Sequence, residues 1–290
     1  MTNKSQYIFS ASLSTFKTLA IARMKAGRGA TLLLEGPAGA GKTAFAKAMA
    51  DELGCSCHYY AGCPDKERDL LYEISVKGVV TKQGEVWKRG PAWRAFEETA
   101  HGEFAVLLID EVDKTSPGFD AFLLRLLEEW NFENPEGNVV QADPSKLLVI
   151  LTTNGRRKLR PEVLRRTQRI NVPLPDNGLL KRIVRQIAGE THIPDNVLDL
   201  IIRIGAAVRA DNAENAPSPK ELALCAIDLL TLASAGVTDT ALWAEVAGSY
   251  LTKSGGAGHL DKVLKFRWAR ALREETNKAP LTAPLRLVAG

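Results

Sequence analysis

Apolar positions along this chain come in two textures. Over residues 1–173, unbroken apolar runs at 31–35, 104–109 and 147–152 alternate with stretches at 11–25, 44–53 and 119–130, where apolar positions recur every three or four residues. A run with no polar face predicts a strand buried on both sides, and a recurrence near 3.6 predicts an amphipathic helix. Residues 56–61 and 170–172 read as two further short strands. Strand alternating with helix is the pattern of an α/β layer built on a parallel sheet. Two interruptions carry turn chemistry instead. Residues 79–87 place β-branched positions around Gln83-Gly84, and residues 131–143 contain Asn134-Pro135-Glu136-Gly137. Both predict hairpins inserted into the layer, at about 75–92 and 131–145. After Pro173 and Pro175 the strands stop, and residues 179–189, 194–209, 219–233 and 239–251 read as helices. Ser254-Gly255-Gly256-Ala257-Gly258 reads as a flexible joint before a basic helix at 260–273, with an irregular end over 280–290. The expected division is an α/β domain over 1–173, a small helical domain over 174–251 and a basic helical tail over 252–290.

Composition narrows the class of protein. A chain of 290 residues, 45% hydrophobic and 25% charged, has the balance of a soluble globular protein. The first ten residues hold no apolar signal core, and no run approaches the ~20 apolar residues of a membrane span, so a cytoplasmic protein with no membrane partner is expected. A net charge of +4 permits an acidic partner without demanding one. Cys55, Cys57 and Cys63 lie close together beside His58. On a strand, Cys55 and Cys57 share a face and His58 takes the other, which is poor geometry for one shared ion. They read as reduced, partly buried thiols.

The chemistry-bearing segments lie at the ends of the predicted strands. Gly36-Pro37-Ala38-Gly39-Ala40-Gly41-Lys42-Thr43 follows a buried strand and opens a helix. Glycines at these spacings let backbone amides converge on phosphate oxygens, and the helix N-terminus favours the anion. Lys42 brings a charge to the terminal phosphates of ATP, and the Thr43 hydroxyl is a magnesium ligand. The strand at 104–109 ends in Asp110 and Glu111, where Asp110 can hold Mg2+ through water and Glu111 can orient and deprotonate an attacking water. Asp113 reads as a helix-start or surface residue.

With these motifs in place, the chain resembles the AAA+ ATPases, and within them the MoxR-like and dynein-related branch, from about residue 7 to residue 233. The implied fold is a P-loop αβα sandwich followed by a helical lid. The resemblance implies further roles. Asn154, after the strand at 147–152, stands where the family holds the γ-phosphate or the lytic water. Arg166, with Arg165 beside it, stands in the segment that bears an arginine finger for the neighbouring subunit. Lys220 stands where the family has a lid arginine, and lysine keeps that charge without the bidentate fork. The two hairpins correspond to inserts that face a central pore. The implied assembly is a homo-oligomeric ring, a hexamer, acting on a protein substrate or adaptor. A nucleic-acid motor or loader in replication, recombination or restriction is the alternative. It draws on the cluster Arg156, Arg157, Lys158, Arg160, Arg165, Arg166 and Arg169, and on the tail residues Lys262, Lys265, Arg267, Arg270 and Arg273.

Overall fold

A computed structural model describes residue 7 and residues 11–75, 86–213, 216–264 and 268–278. They fall into two compact units, Gln6–Leu174 and the chain from Pro175 onward. The first unit runs α1 (Ala11–Lys25), β1 (Ala30–Glu35), α2 (Lys42–Leu53), β2 (Ser56–Ala61), β3 (Tyr72–Ile74), β4 (Trp87–Arg89), α3 (Pro91–Ala100), β5 (Ala105–Asp110), α4 (Pro117–Glu129), β6 (Asn131–Glu133), β7 (Val139–Gln141), β8 (Leu147–Thr153), α5 (Pro161–Arg166) and β9 (Gln168–Asn171). Five strands form one parallel sheet in the order β2-β5-β8-β1-β9. The unbroken apolar runs follow from this placement, because the central strands must bury both faces. Leu32, Leu34, Val106, Leu108, Leu148 and Ile150 pack with Phe45 and Met49 of α2 on one face. Leu33, Leu107, Ile109, Val149 and Leu151 pack with Phe96 of α3 and Phe119 and Leu123 of α4 on the other. The sheet is therefore the filling of a helix–sheet–helix sandwich.

The two inserted hairpins are present, with one shift of register. The first pairs Tyr72–Ile74 with Trp87–Arg89, so its leading arm starts earlier than the β-branched residues Val79 and Val80 predicted. Those valines and the expected tip, Thr81 to Gly84, lie outside the described residues. The second pairs Asn131–Glu133 with Val139–Gln141 around the predicted turn, whose Asn134 side chain accepts the backbone amides of Glu136 and Asn138.

Cys55 and Cys57 lean on the α2 face of the sheet, while His58 sits on the other and pairs with Glu98 of α3 at 2.9 Å. Burial, with the neighbouring Cys57 and Glu98 adding to it, pushes the Cys55 thiol up to about 11. Burial also raises the thiol of Cys225, which is buried in the second unit. At pH 8 the reactive thiolate of Cys55 is depleted on the order of a hundredfold relative to an ordinary thiol. Alkylation by iodoacetamide at pH 8, followed peptide by peptide by mass spectrometry, is expected to be slower at Cys55 by about that factor than at a free cysteine. Labelling at the free-thiol rate would show that the β2 edge opens readily.

The second unit is helical: α6 (Asn177–Ala188), α7 (Asp195–Asp211), α8 (Pro219–Ser234), α9 (Thr240–Leu251), α10 (Gly256–Val263) and α11 (Trp268–Asn277). Two expectations fail here. The glycine stretch at 254–258 is no joint, because α10 starts at Gly256. Gly248 of α9 lies against it so closely that a Cβ there would stand 2.4 Å from the Ala257 nitrogen. The basic helix is also two helices rather than one. Leu260, Leu264, Trp268 and Leu272 join the core of the unit, and the Trp268 indole donates to Asp261 at 2.8 Å. Arg270 pairs with Glu274, and Arg273 donates to the Thr240 hydroxyl at 3.1 Å. Lys265, Phe266, Arg267 and the expected irregular end lie outside the described residues. No helix among the described residues is long and apolar enough to cross a membrane.

Candidate active site

Strands β5, β8 and β1 are neighbours and end at one level, with Ile109 opposite Leu151 and Glu35 opposite Thr153. The next strand in sequence after β1 lies at one edge of the sheet and the last lies at the other, so the chain order reverses beside β1. In open parallel sheets ligands bind at strand C-termini where the order reverses.

The glycine loop leaves β1 at this point, and its glycines answer separate demands. Gly39 and Gly41 have φ of 79° and 89°, a left-handed backbone that other residues adopt at a cost. Gly36 passes so near Val172 that a Cβ would stand 2.2 Å from the Val172 carbonyl oxygen. Pro37, Ala38 and Ala40 fill the loop between them, and α2 starts at Lys42, offering the free amides of a helix N-terminus. Lys42 is only 6% exposed. Its Nζ donates to the carbonyls of Gly36 (2.7 Å) and Pro37 (2.8 Å) and to Asn154 Oδ1 (2.8 Å). Burial lowers the pKa of its ammonium group, against the opposing pull of Asp110, Asp113 and Glu111.

The carboxylates gather opposite. Asp110 Oδ2 accepts from Thr43 Oγ1 at 2.9 Å and from the Tyr59 hydroxyl at 3.4 Å. Its Oδ1 accepts from the fully buried Thr152 hydroxyl, whose oxygen in turn accepts the Glu111 amide at 2.9 Å. One threonine thus fixes both the metal-type carboxylate and the backbone of the next residue. Thr43 and Asp110 present two hard oxygens within a hydrogen bond of each other, a donor set that suits Mg2+, which takes one or two protein ligands beside phosphate oxygens. Glu111 has φ of 52°, an uncommon left-handed backbone for a residue with a side chain. Its Oε1 accepts from Asn154 Nδ2 at 3.2 Å. Asn154 therefore bridges Lys42 and Glu111, using both ends of its amide.

Asp113 is not a surface residue. It is 5% exposed, and its Oδ2 accepts the backbone amides of Asn154 (3.2 Å) and Arg156 (2.9 Å). It ties the turn after β5 to the end of β8. Arg157 makes a second tie. Its guanidinium pairs with the fully buried Asp120 of α4 at 2.7 and 3.0 Å and also donates to the Val112 carbonyl and the Thr115 hydroxyl. Asp120 accepts the Arg160 amide as well, at 2.8 Å, and so sets the start of α5. On α5, Arg166 pairs with Glu128 at 2.8 Å and donates to the Glu162 carbonyl. Arg165 is exposed, with no ion pair among the described residues. Arg169 pairs with Glu35 at 2.9 Å. Lys220 belongs to the other unit, exposed in the first turn of α8, whose Ser218 and Glu221 form a reciprocal capping box.

Sequence reasoning passed over four residues at the site: Tyr59, Thr152, Lys114 and Tyr7. Tyr7 donates to the Gly41 carbonyl at 3.4 Å and sets its ring edge-on to Phe45, and burial pushes its phenol up to about 12. Thr152 was legible as the residue opposite the Asp110–Glu111 strand end, but only with the strand register known.

Residues 31–170 match the AAA domain of the dynein-related subfamily. The denitrification regulatory protein NirQ of Stutzerimonas stutzeri is 26% identical over 188 residues, 62% of this chain and 64% of its own length. The chloroplastic chaperone protein ClpC4 of Oryza sativa subsp. japonica is 28% identical over 135 residues, 43% of this chain and 14% of its own length. The spastin homolog of Caenorhabditis elegans is 26% identical over 217 residues, 72% of this chain and 39% of its own length. The chain thus spans less than two thirds of each of these relatives. The glycine loop, the paired carboxylates and the bridging asparagine all fall inside the stretch, residues 31–170, that matches the AAA domain of the dynein-related subfamily.

Proposed function

We propose that the chain hydrolyses ATP with Mg2+ and, as a ring of copies, uses the cycle to remodel or assemble a partner protein. The observation that carries the hydrolytic part is the meeting, at three adjacent strand ends, of a buried lysine, a threonine–aspartate oxygen pair and a glutamate, with Asn154 joining lysine to glutamate. Loop residues 36–41 cradle the phosphates, and Lys42 attends the terminal ones. Thr43 and Asp110 hold the metal, which when bound offsets the negative charge of the phosphates. Glu111 orients the lytic water and takes its proton, and Asn154 fixes the distance between base and phosphate.

Two features support action in a ring on a protein. The arginines of α5 have no part in the chain's own site, and Arg165 stands exposed with no ion pair among the described residues. Arg166 must first leave Glu128, and an exposed pair of that kind holds it by only ~0.2–1 kcal/mol. The hairpins expose apolar side chains, with Ile74 56% and Val139 67% accessible, which suits grip on a polypeptide. Among the relatives, ClpC4 is a chaperone protein, which supports the same reading. The nucleic-acid reading draws less support, since Arg157, Arg166 and Arg169 of the basic cluster are each paired with a carboxylate.

Subunit mixing tests the ring. Arg165→Ala or Arg166→Ala, whichever removes the finger, is expected to cut turnover by ~10³-fold or more. Mixing that variant with Lys42→Ala subunits should restore part of the activity, because some mixed interfaces join an intact site to an intact arginine. Full activity in both arginine variants, or a monomer whose turnover is independent of concentration, would rule out the shared site. Turnover stimulated by DNA, with the steep salt dependence of phosphate contacts, would favour the alternative partner.

A further inference from the structure

Glu111 is held from two sides, and only one of the holding groups belongs to the assignments above. Asn154 grips Oε1, while the Lys114 ammonium lies 2.5 Å from Oε2. The spacing is set by the backbone. Residues Val112–Lys114 form a 3₁₀ turn capped by Glu111, and the Lys114 amide donates to the Glu111 carbonyl at 2.9 Å, which folds the two residues toward each other. The turn itself is wedged in place. The Gly62 amide donates to the Asp110 carbonyl at 2.7 Å, and a Cβ on Gly62 would stand 2.3 Å from the Glu111 carbonyl oxygen. Lys114 and Glu111 are each about one-third exposed, so this pair adds little to stability, and its value must lie elsewhere.

Resting on the reading of Glu111 as the hydrolytic base, we propose that Lys114 is a positioning residue for that base. A glutamate side chain has three rotatable bonds, and a single donor on Oε1 leaves its carboxylate plane free to turn. A second donor on Oε2, from a different direction, fixes the plane. Each oxygen takes one donor and keeps a lone pair for the water. Lys114 touches neither nucleotide nor water in this role and acts through Glu111 alone. A base misplaced by about 1 Å costs on the order of a hundredfold in rate, and loss of one of two grips should cost about a tenth of that.

Lys114→Met is therefore expected to lower kcat about tenfold while KM for ATP and the melting temperature stay at the parent values, and Lys114→Arg, which can reach the same oxygen, should retain most of the rate. In a Glu111→Gln background, Lys114→Met should cause no further loss in single-turnover rate, because the group it positions is no longer a base. An unchanged or raised kcat in Lys114→Met, or the same tenfold loss in the Glu111→Gln background, would overturn the inference. Glu111→Gln measured alone separates the two levels. Full turnover there sinks the reading of the base and the inference with it. Lost turnover there, with full turnover in Lys114→Met, sinks the inference alone.

Discussion

Glu111→Gln is expected to bind ATP as the parent chain does and to turn it over ~10²–10⁴-fold more slowly, the contribution of a positioned general base. An amide has nearly the shape of the carboxylate and can keep a bond to Asn154, so the Lys42–Asn154–Glu111 bridge survives while the proton acceptor is lost. Lys42→Ala is expected to fail earlier, at binding. Lys42 is the loop's own cation, and its ammonium, already desolvated and held among loop carbonyls, is pre-placed for phosphate oxygens. Loss of charge-assisted bonds of ~1.5–3 kcal/mol each takes ATP affinity down by at least ~10–100-fold. Nucleotide titration by calorimetry, beside single-turnover hydrolysis, reads both variants. Equal loss of binding in the two would show that Glu111 works in binding and not in the chemical step.

Arg157→Met is expected to destabilise the first unit by about 3–5 kcal/mol, because it leaves the fully buried Asp120 carboxylate without its cation. Against a total stability of ~5–15 kcal/mol for a domain, that is a large share. The lost bonds are not confined to Asp120, since the same guanidinium holds the Val112 carbonyl and the Thr115 hydroxyl. The double change Arg157→Gln with Asp120→Asn should be more stable than Arg157→Met alone. It leaves no buried charge unpaired, and the new side-chain amide oxygen can still accept the Arg160 amide. Urea unfolding should report a lower midpoint with an unchanged slope. A loss below about 1 kcal/mol would place Arg157–Asp120 among ordinary surface pairs.

What the sequence made legible is what depends on neighbours in the chain. The loop at 36–43 is a local pattern, and its strand–loop–helix context is local too. Asp110 and Glu111 were readable because an apolar run stops at them. What escaped depends on register between distant segments. Asp113 is buried only because β5 and β8 bring the amides of Asn154 and Arg156 to it, 41 and 43 positions along the chain. The pairing of Arg166 with Glu128 needs α4 and α5 side by side. The glycines at 254–258 look like a hinge by composition. Instead the backbone at Gly256 and Ala257 packs directly on Gly248 of α9, a contact that nothing local in the sequence announces.

The place of β1 in the sheet has a consequence for how the chain is made. Its two neighbours are β8 and β9, with Ala30 opposite Leu148 and Leu32 opposite Gln168. The first pairing spans 148 − 30 = 118 positions. A ribosome adding ~5–20 residues per second leaves Leu32, Leu33 and Leu34 without either sheet partner for roughly 6–24 s. Parallel pairings of this separation also form late, since the entropy of closing so long a loop is lost before any contact repays it. The strand that delivers the phosphate loop is thus among the last to gain sheet neighbours during synthesis, and its backbone amides and carbonyls wait for their strand partners over that interval.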